Sequence, residues 1–199
     1  MLRAITDLGD SAFLLPASII LFVYLLAVGE RRKALLWGAA VLLNGALTVG
    51  SKVAFFALFH FDGHWAPFAI RSPSGHTSLS ALFYISAAVL MALRRPPAIR
   101  LGLAAGAAAL VGGVAVTRIL LGAHTPGEVA VGLVMGAGCA AWFARAVLRE
   151  PADRLRWQPL AVAIVGLAAL VHALHLDGSS IIGSVAHQVR LMVWPTFAS

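Results

Sequence analysis

The sequence predicts an all-α, polytopic membrane protein: six transmembrane helices in one bundle, forming a single domain over residues 1–199. Two observations carry this. Hydrophobic residues make up 60% of the chain and charged residues only 12%, about half the charge density of an ordinary soluble domain. The apolar residues also fall in long uninterrupted blocks, each near the roughly 17–25 residues a helix needs to cross a hydrocarbon core. Mean hydropathy is correspondingly high, at +0.90.

The first block runs from about Ser11 to Gly29, with Pro16 inside it as a tolerable kink. Glu30-Arg31-Arg32-Lys33 follows in place of a small-residue cleavage site, so the block reads as a span and not as a signal peptide. The second span covers about Ala34 to Phe59, with Asn44 expected to hydrogen-bond a neighbouring helix. The third covers His76 to Leu93, the fourth Leu101 to Leu120, the fifth Pro126 to Ala146 and the sixth Leu160 to Leu176. The pairs Gly102/Gly106 and Gly132/Gly136 have the helical spacing of close helix packing. The lone Cys139 lies in an apolar block, where it forms no internal disulfide.

The net charge of +7 does not point to nucleic acid, because of where the cations lie. Arg31, Arg32 and Lys33, then Arg94, Arg95 and Arg100, then Arg145, Arg149, Arg154 and Arg156 fall in three loops on one side, ten of the fifteen Lys and Arg. Positive loops remain cytoplasmic. Both termini, the loop from His60 to Gly75 and the turn from Gly122 to Thr125 therefore face outward, into the periplasm or exterior if the membrane is a bacterial inner membrane. The remaining cations are Arg3, Lys52, Arg71, Arg118 and Arg190. The last lies in an outer-side tail (residues 177–199) with the pattern of a short interfacial helix from Ile181 to Trp194.

Two polar segments on that outer side carry chemistry. One is Arg71-Ser72-Pro73-Ser74-Gly75-His76-Thr77, opening the third span. The other is Thr117-Arg118, five residues, then His124-Thr125-Pro126-Gly127-Glu128, between the fourth and fifth. Helix N-termini offer free N–H groups and a positive dipole end, a natural seat for phosphate. Ser74 adds a hydroxyl and Gly75 permits close backbone approach. Arg71 and Arg118 supply guanidinium forks. His76 suits proton donation, His124 suits nucleophilic attack, and Glu128 suits orientation of His124. No metal or cofactor is needed if arginines and backbone donors carry the charge. Plainer readings exist for each residue alone: Thr125-Pro126-Gly127-Glu128 is also a capping box, and Arg118 suits snorkelling. Joint occurrence at two helix starts on one side favours chemistry.

These residues resemble the type 2 phosphatidic acid phosphatase superfamily. Its second motif, Pro-Ser-Gly-His, is matched in full by Pro73-Ser74-Gly75-His76. Its third, Ser-Arg, five residues, His, three residues, Asp, is matched in spacing by Thr117-Arg118, His124 and Glu128, with Thr for Ser and Glu for Asp. Lys52 stands where the first motif has its lysine, but Phe59-His60 replaces the expected Arg-Pro, and Arg71 is placed to supply the guanidinium. The motif core spans residues 52–138. The resemblance implies a phosphohistidine on His124, protonation of the leaving group by His76, orientation of His124 by Glu128, and phosphate held by Lys52, Ser74, Gly75 and Arg118. Asp62-Gly63-His64-Trp65 reads as a lid or turn, and Trp65 and Phe68 suit the membrane interface.

The expected function is therefore metal-independent hydrolysis of a lipid phosphate or diphosphate at the outer membrane face. Isoprenoid diphosphate, phosphatidylglycerophosphate, phosphatidic acid and glycolipid phosphate are the substrate candidates. The alternatives are a lipid phosphotransferase of the same superfamily and a non-catalytic scaffold or transporter. If Arg71 replaces the missing arginine, Arg71→Ala will lower phosphate release about as severely as Arg118→Ala. Near-wild-type turnover in Arg71→Ala would exclude that role.

Overall fold

The computed structural model describes residues 2–59, 72–150 and 157–173. Among these residues there are seven helices and no strand: α1 (Leu2–Asp7), α2 (Ser11–Ala27), α3 (Arg31–Phe59), α4 (Gly75–Ala92), α5 (Pro97–Leu120), α6 (Pro126–Val147) and α7 (Trp157–Ala173). Each expected span has its helix, and the short α1 is additional.

Sequence signals set most of the ends. Asp10 caps α2, with its side chain accepting from the Ala12 N–H at 2.7 Å. Glycines in the left-handed conformation, Gly29 (φ 87°) and Gly122 (φ 65°), close α2 and α5. In both cases the residue after the glycine bonds back five residues, Glu30 N–H to Leu25 O and Ala123 N–H to Arg118 O, the pattern of a Schellman cap. Pro96 caps α5 and Pro97 is its first residue, a position that needs no N–H. The helix therefore starts four residues earlier than expected.

One expectation is met in part and one needs correction. First, among the described residues four helices are long and apolar enough to cross a membrane: Arg31–Ala54, Gly75–Ala92, Pro97–Leu120 and Pro126–Val147. Ser11–Ala27 and Trp157–Val171 are apolar but shorter. The 17 residues of α2 rise about 26 Å at 1.5 Å each, at the short end of what crosses a core of about 30 Å. The described residues thus hold four helices long enough to span and two shorter apolar ones, so the expectation of six is met in part. Second, Arg31, Arg32 and Lys33 are not a loop but the first turn of α3. Lys33 is buried and pairs with Glu30 at 2.6 Å, while Arg32 pairs with Glu150, just past α6, at 2.9 Å. That pairing holds the start of α3 beside the end of α6. Arg154, Arg156 and the 177–199 tail lie outside the described residues.

The surface is apolar and the interior mixed, the reverse of a soluble protein. Leu42, Leu101, Val134 and Val162 are each more than 70% exposed, while Asn44, Thr77, Ser78, Ser80 and Ser86 are buried. So much exposed aliphatic surface is stable only against lipid or a partner. In the core, Trp37 of α3 packs edge-on against Phe83 of α4 and Phe143 of α6. Its indole N–H donates to the Ser18 carbonyl of α2 at 2.9 Å. Asn44 accepts from Ser78 Oγ at 2.7 Å, joining α3 to α4 as expected. The central helix is α4, which packs on α2, α3, α5 and α6.

The glycine pairs part company. A Cβ on Gly132 would lie 2.5 Å from the Ser74 carbonyl oxygen, and one on Gly136 would overlap the Ser78 carbonyl. The α4 and α6 backbones therefore touch there. A Cβ on Gly102 or Gly106 would meet nothing within 4 Å, so the packing role expected of them is not met within the described residues. Gly136→Ala is expected to cost about 1–3 kcal/mol, the usual penalty of overpacking. Gly106→Ala should stay within about 0.5 kcal/mol of wild type. Unfolding in detergent, monitored by circular dichroism, checks both.

Candidate active site

Three helix N-termini meet at one end of the bundle: α2 capped by Asp10, α4 capped by Ser74 and α6 capped by Thr125. The end of α5, with Arg118 in its last turn, joins them.

The α6 start is the most heavily bonded. Thr125 Oγ1 accepts from the Glu128 N–H at 3.3 Å, and Glu128 Oε2 accepts from the Thr125 N–H at 3.1 Å, so the capping box is formed. The same Oε2 lies 2.9 Å from His124 Nδ1. Oε1 accepts from the Ser72 N–H at 2.9 Å, and the Glu128 carbonyl accepts from the Ser74 N–H at 3.0 Å. Glu128 is thus at once a cap, the partner of His124 and the tie to the Pro73-Ser74-Gly75-His76 segment. A carboxylate can only accept, so the proton of His124 sits on Nδ1 and Nε2 carries the lone pair. The loop leading to His124 is fixed by the α5 cap, since the N–H groups of both Ala123 and His124 donate to Arg118 O.

The α4 start is different. Ser74 is fully buried, and its Oγ accepts from the Thr77 N–H and Oγ1 at 3.4 and 3.1 Å. The hydroxyl expected to face phosphate is therefore the helix cap. Gly75 and His76 follow as the first two helical residues, and no partner of their N–H groups occurs among the described residues. His76 Nε2 lies 3.1 Å from Asp10 Oδ2, a contact outside the expected set. Its only signal in the sequence is an acid capping an apolar block 66 residues away in the chain.

Burial holds His124 below its ordinary value of 6.5, and the positive charges of Arg118 and His76 push the same way. The hydrogen bond and charge of Glu128 oppose them. His76, Arg118, His124 and Glu128 are thus gathered at one end. Lys52 is exposed on α3, one turn beyond Thr48, whose methyl group lies 3.5 Å from a Cβ position on Gly75. The described contacts do not join it to either histidine. Arg71, Asp62, Gly63, His64, Trp65 and Phe68 lie outside the described residues. Thr117, in the motif's serine position, is buried and donates to Val114 O within its own helix.

The chain matches the model of the PAP2 superfamily over residues 33–151, more than half its length, and it belongs to that superfamily. It is a membrane-type helical protein of a phosphatase family. Among curated proteins it resembles an uncharacterized 22.5 kDa protein in the cps region of Klebsiella pneumoniae. The two are 29% identical over 197 residues, covering 94% of this chain and 90% of the relative. No solved structure matches.

By nuclear magnetic resonance, His124 is expected to titrate below 6.5. In Glu128→Gln it should titrate lower still, because both effects that raise it involve that carboxylate. A histidine held low in the folded state stabilises the fold fully above its unfolded value. That contribution is lost as pH falls toward and through the folded value.

Proposed function

We propose that the protein is a lipid phosphate or diphosphate phosphatase working through a phosphohistidine on His124. The observation that carries this is the His124–Glu128 pair: Nδ1 is held by a buried carboxylate at 2.9 Å, which leaves Nε2 as an unprotonated nucleophile. The low proton affinity of His124 keeps that nitrogen free near neutral pH.

In the first step Nε2 attacks phosphorus. The bond from phosphorus to the leaving oxygen breaks, and His76 gives that oxygen a proton. In the second, water attacks the phosphohistidine, its proton passes to His76, the P–N bond breaks and phosphate leaves. Arg118 and the N–H groups of Gly75 and His76 are the donors for the phosphoryl oxygens. Lys52 and Arg71 complete that set in this reading, and the neighbouring Ser74 holds the turn that presents the backbone donors. Glu128 orients His124.

Two further features support a lipid substrate in a membrane. A groove of about 420 Å³ runs between α4 and α5 from Arg100 to Ala115, lined by Ile85, Ala104, Val111 and Leu133. Its outer end stops one turn short of Arg118, so it suits an acyl or isoprenyl chain whose headgroup sits at the histidines. The cations concentrated at the opposite end favour a cytoplasmic placement for that end. The site would then face the periplasm or exterior of a bacterial inner membrane.

The test is phosphate release from a panel of lipid phosphates and diphosphates by the purified protein. His124→Ala should lose about 10³-fold or more, as nucleophile removal does elsewhere, and His76→Ala about 10²- to 10⁴-fold. In wild type, kcat/KM should fall on the acid side of 6.5 as His124 takes up a proton. Phosphate release that survives His124→Ala would overturn the mechanism.

A further inference from the structure

We infer that Asp10 is a positioning residue for His76, forming a second carboxylate–histidine pair in the site. The inference rests on the reading of His76 as the proton donor. Asp10 is 7% exposed and divides its two oxygens: Oδ1 accepts from the Ala12 N–H at 2.7 Å, capping α2, and Oδ2 meets His76 Nε2 at 3.1 Å. Residue 10 lies outside the segment matched by the superfamily, residues 33–151.

Its backbone is held on several sides. Tyr84 Oη of α4 donates to Leu8 O at 2.7 Å. A Cβ on Gly9 would come within 2.5 Å of Val114 Cγ1 on α5 and 2.9 Å of Ser80 Oγ on α4. The Gly9 and Asp10 N–H groups bond back to Thr6 O and Asp7 O. The carboxylate therefore meets His76 from a fixed platform, as expected of a group that must set the angle of a ring.

The two pairs are mirror images. Glu128 takes Nδ1 of His124 and leaves Nε2. Asp10 takes Nε2 of His76 and leaves Nδ1. The carboxylate accepts the Nε2 proton, fixes the tautomer and the ring rotation, and makes Nδ1 the atom that exchanges a proton with the leaving oxygen. Once Nδ1 has given up its proton, Nε2–H remains on the carboxylate and the pair is ready to receive the proton of the attacking water.

The experiment compares wild type, Asp10→Ser, Asp10→Asn and His76→Ala on two substrates: a long-chain alkyl phosphate, whose alkoxide must be protonated to leave, and p-nitrophenyl phosphate, whose phenolate need not be. Serine keeps the helix cap but is too short to reach His76. Asparagine keeps the shape and loses the charge. Both variants should lower the first-turnover cleavage of the alkyl phosphate by about 10²-fold or more, while changing the first-turnover release of nitrophenolate by about threefold or less, since the later proton transfer from water is common to both substrates. In a His76→Ala background they should cause no further loss. Nitrogen-15 resonances of His76 in the full-length protein should show the Nε2–H tautomer in wild type and its loss in Asp10→Ser, whether or not turnover is measured. Equal losses in the first-turnover cleavage of both substrates, or an unchanged tautomer, would make Asp10 a cap only. If His76→Ala is impaired on the alkyl phosphate and Asp10→Ser is not, this proposal alone falls. A fully active His76→Ala would overturn both this proposal and the role assigned to His76.

Discussion

The buried carboxylate of Glu128 is the interaction on which the site depends. At 5% exposure, an ionised carboxylate persists only if its oxygens are well bonded. Here they accept from Ser72, Thr125 and His124, at the positive end of the α6 dipole. The cap that starts α6 and the contact that orients His124 share one oxygen, so the helix start and the histidine geometry cannot vary independently. The second oxygen reaches across to a segment 56 residues earlier in the chain, and it thereby fixes the approach to α4 relative to α6.

Helix packing reinforces that registration. Where Gly132 and Gly136 face the Ser74 and Ser78 carbonyls, the two backbones approach as closely as atoms allow, one turn and two turns below the Glu128 contact. A bundle with an apolar exterior gains little from hydrophobic burial between helices once in lipid, so close packing and polar contacts do more of the work. The Asn44–Ser78 hydrogen bond and the indole of Trp37 on the Ser18 carbonyl are two such contacts. They tie α2, α3 and α4 to the pair that carries the histidines.

Much of this was legible in the sequence, wherever the determinants are local. The Thr125 to Glu128 capping box, the helix start at Gly75 and the apolar blocks all follow from spacing over a few residues. The structure also shows that two readings of Glu128, cap and histidine partner, were never alternatives. Long-range determinants were not legible. Asp10 meets His76 across 66 positions, and nothing in its neighbours distinguishes it from an ordinary cap. The glycine pairs show the same limit: Gly102/Gly106 and Gly132/Gly136 share a spacing, yet only the second faces another backbone, because which side of a helix meets a neighbour is a tertiary property. The count of spans depends on length, and α2, at 17 residues, is shorter than each of α3 to α6.

The convergence of three helix starts argues for where an anion would sit. Each start brings a positive dipole end to the same end of the bundle. Two of them already hold a carboxylate of the protein, Asp10 on α2 and Glu128 on α6, and each of those carboxylates also takes a histidine nitrogen. Of the three, only the α4 start holds no carboxylate of its own: its cap is Ser74 and its first turn has no acid. Its Ser74 and Thr77 N–H groups are engaged within the protein, which leaves those of Gly75 and His76 as the donors open to a ligand. An incoming phosphate would be repelled by the carboxylates at the α2 and α6 starts and drawn to the α4 start between them. There one histidine could attack while the other protonates. In the proposed mechanism, the acids that orient the histidines would thus also select, by charge, the one helix start open to the anion.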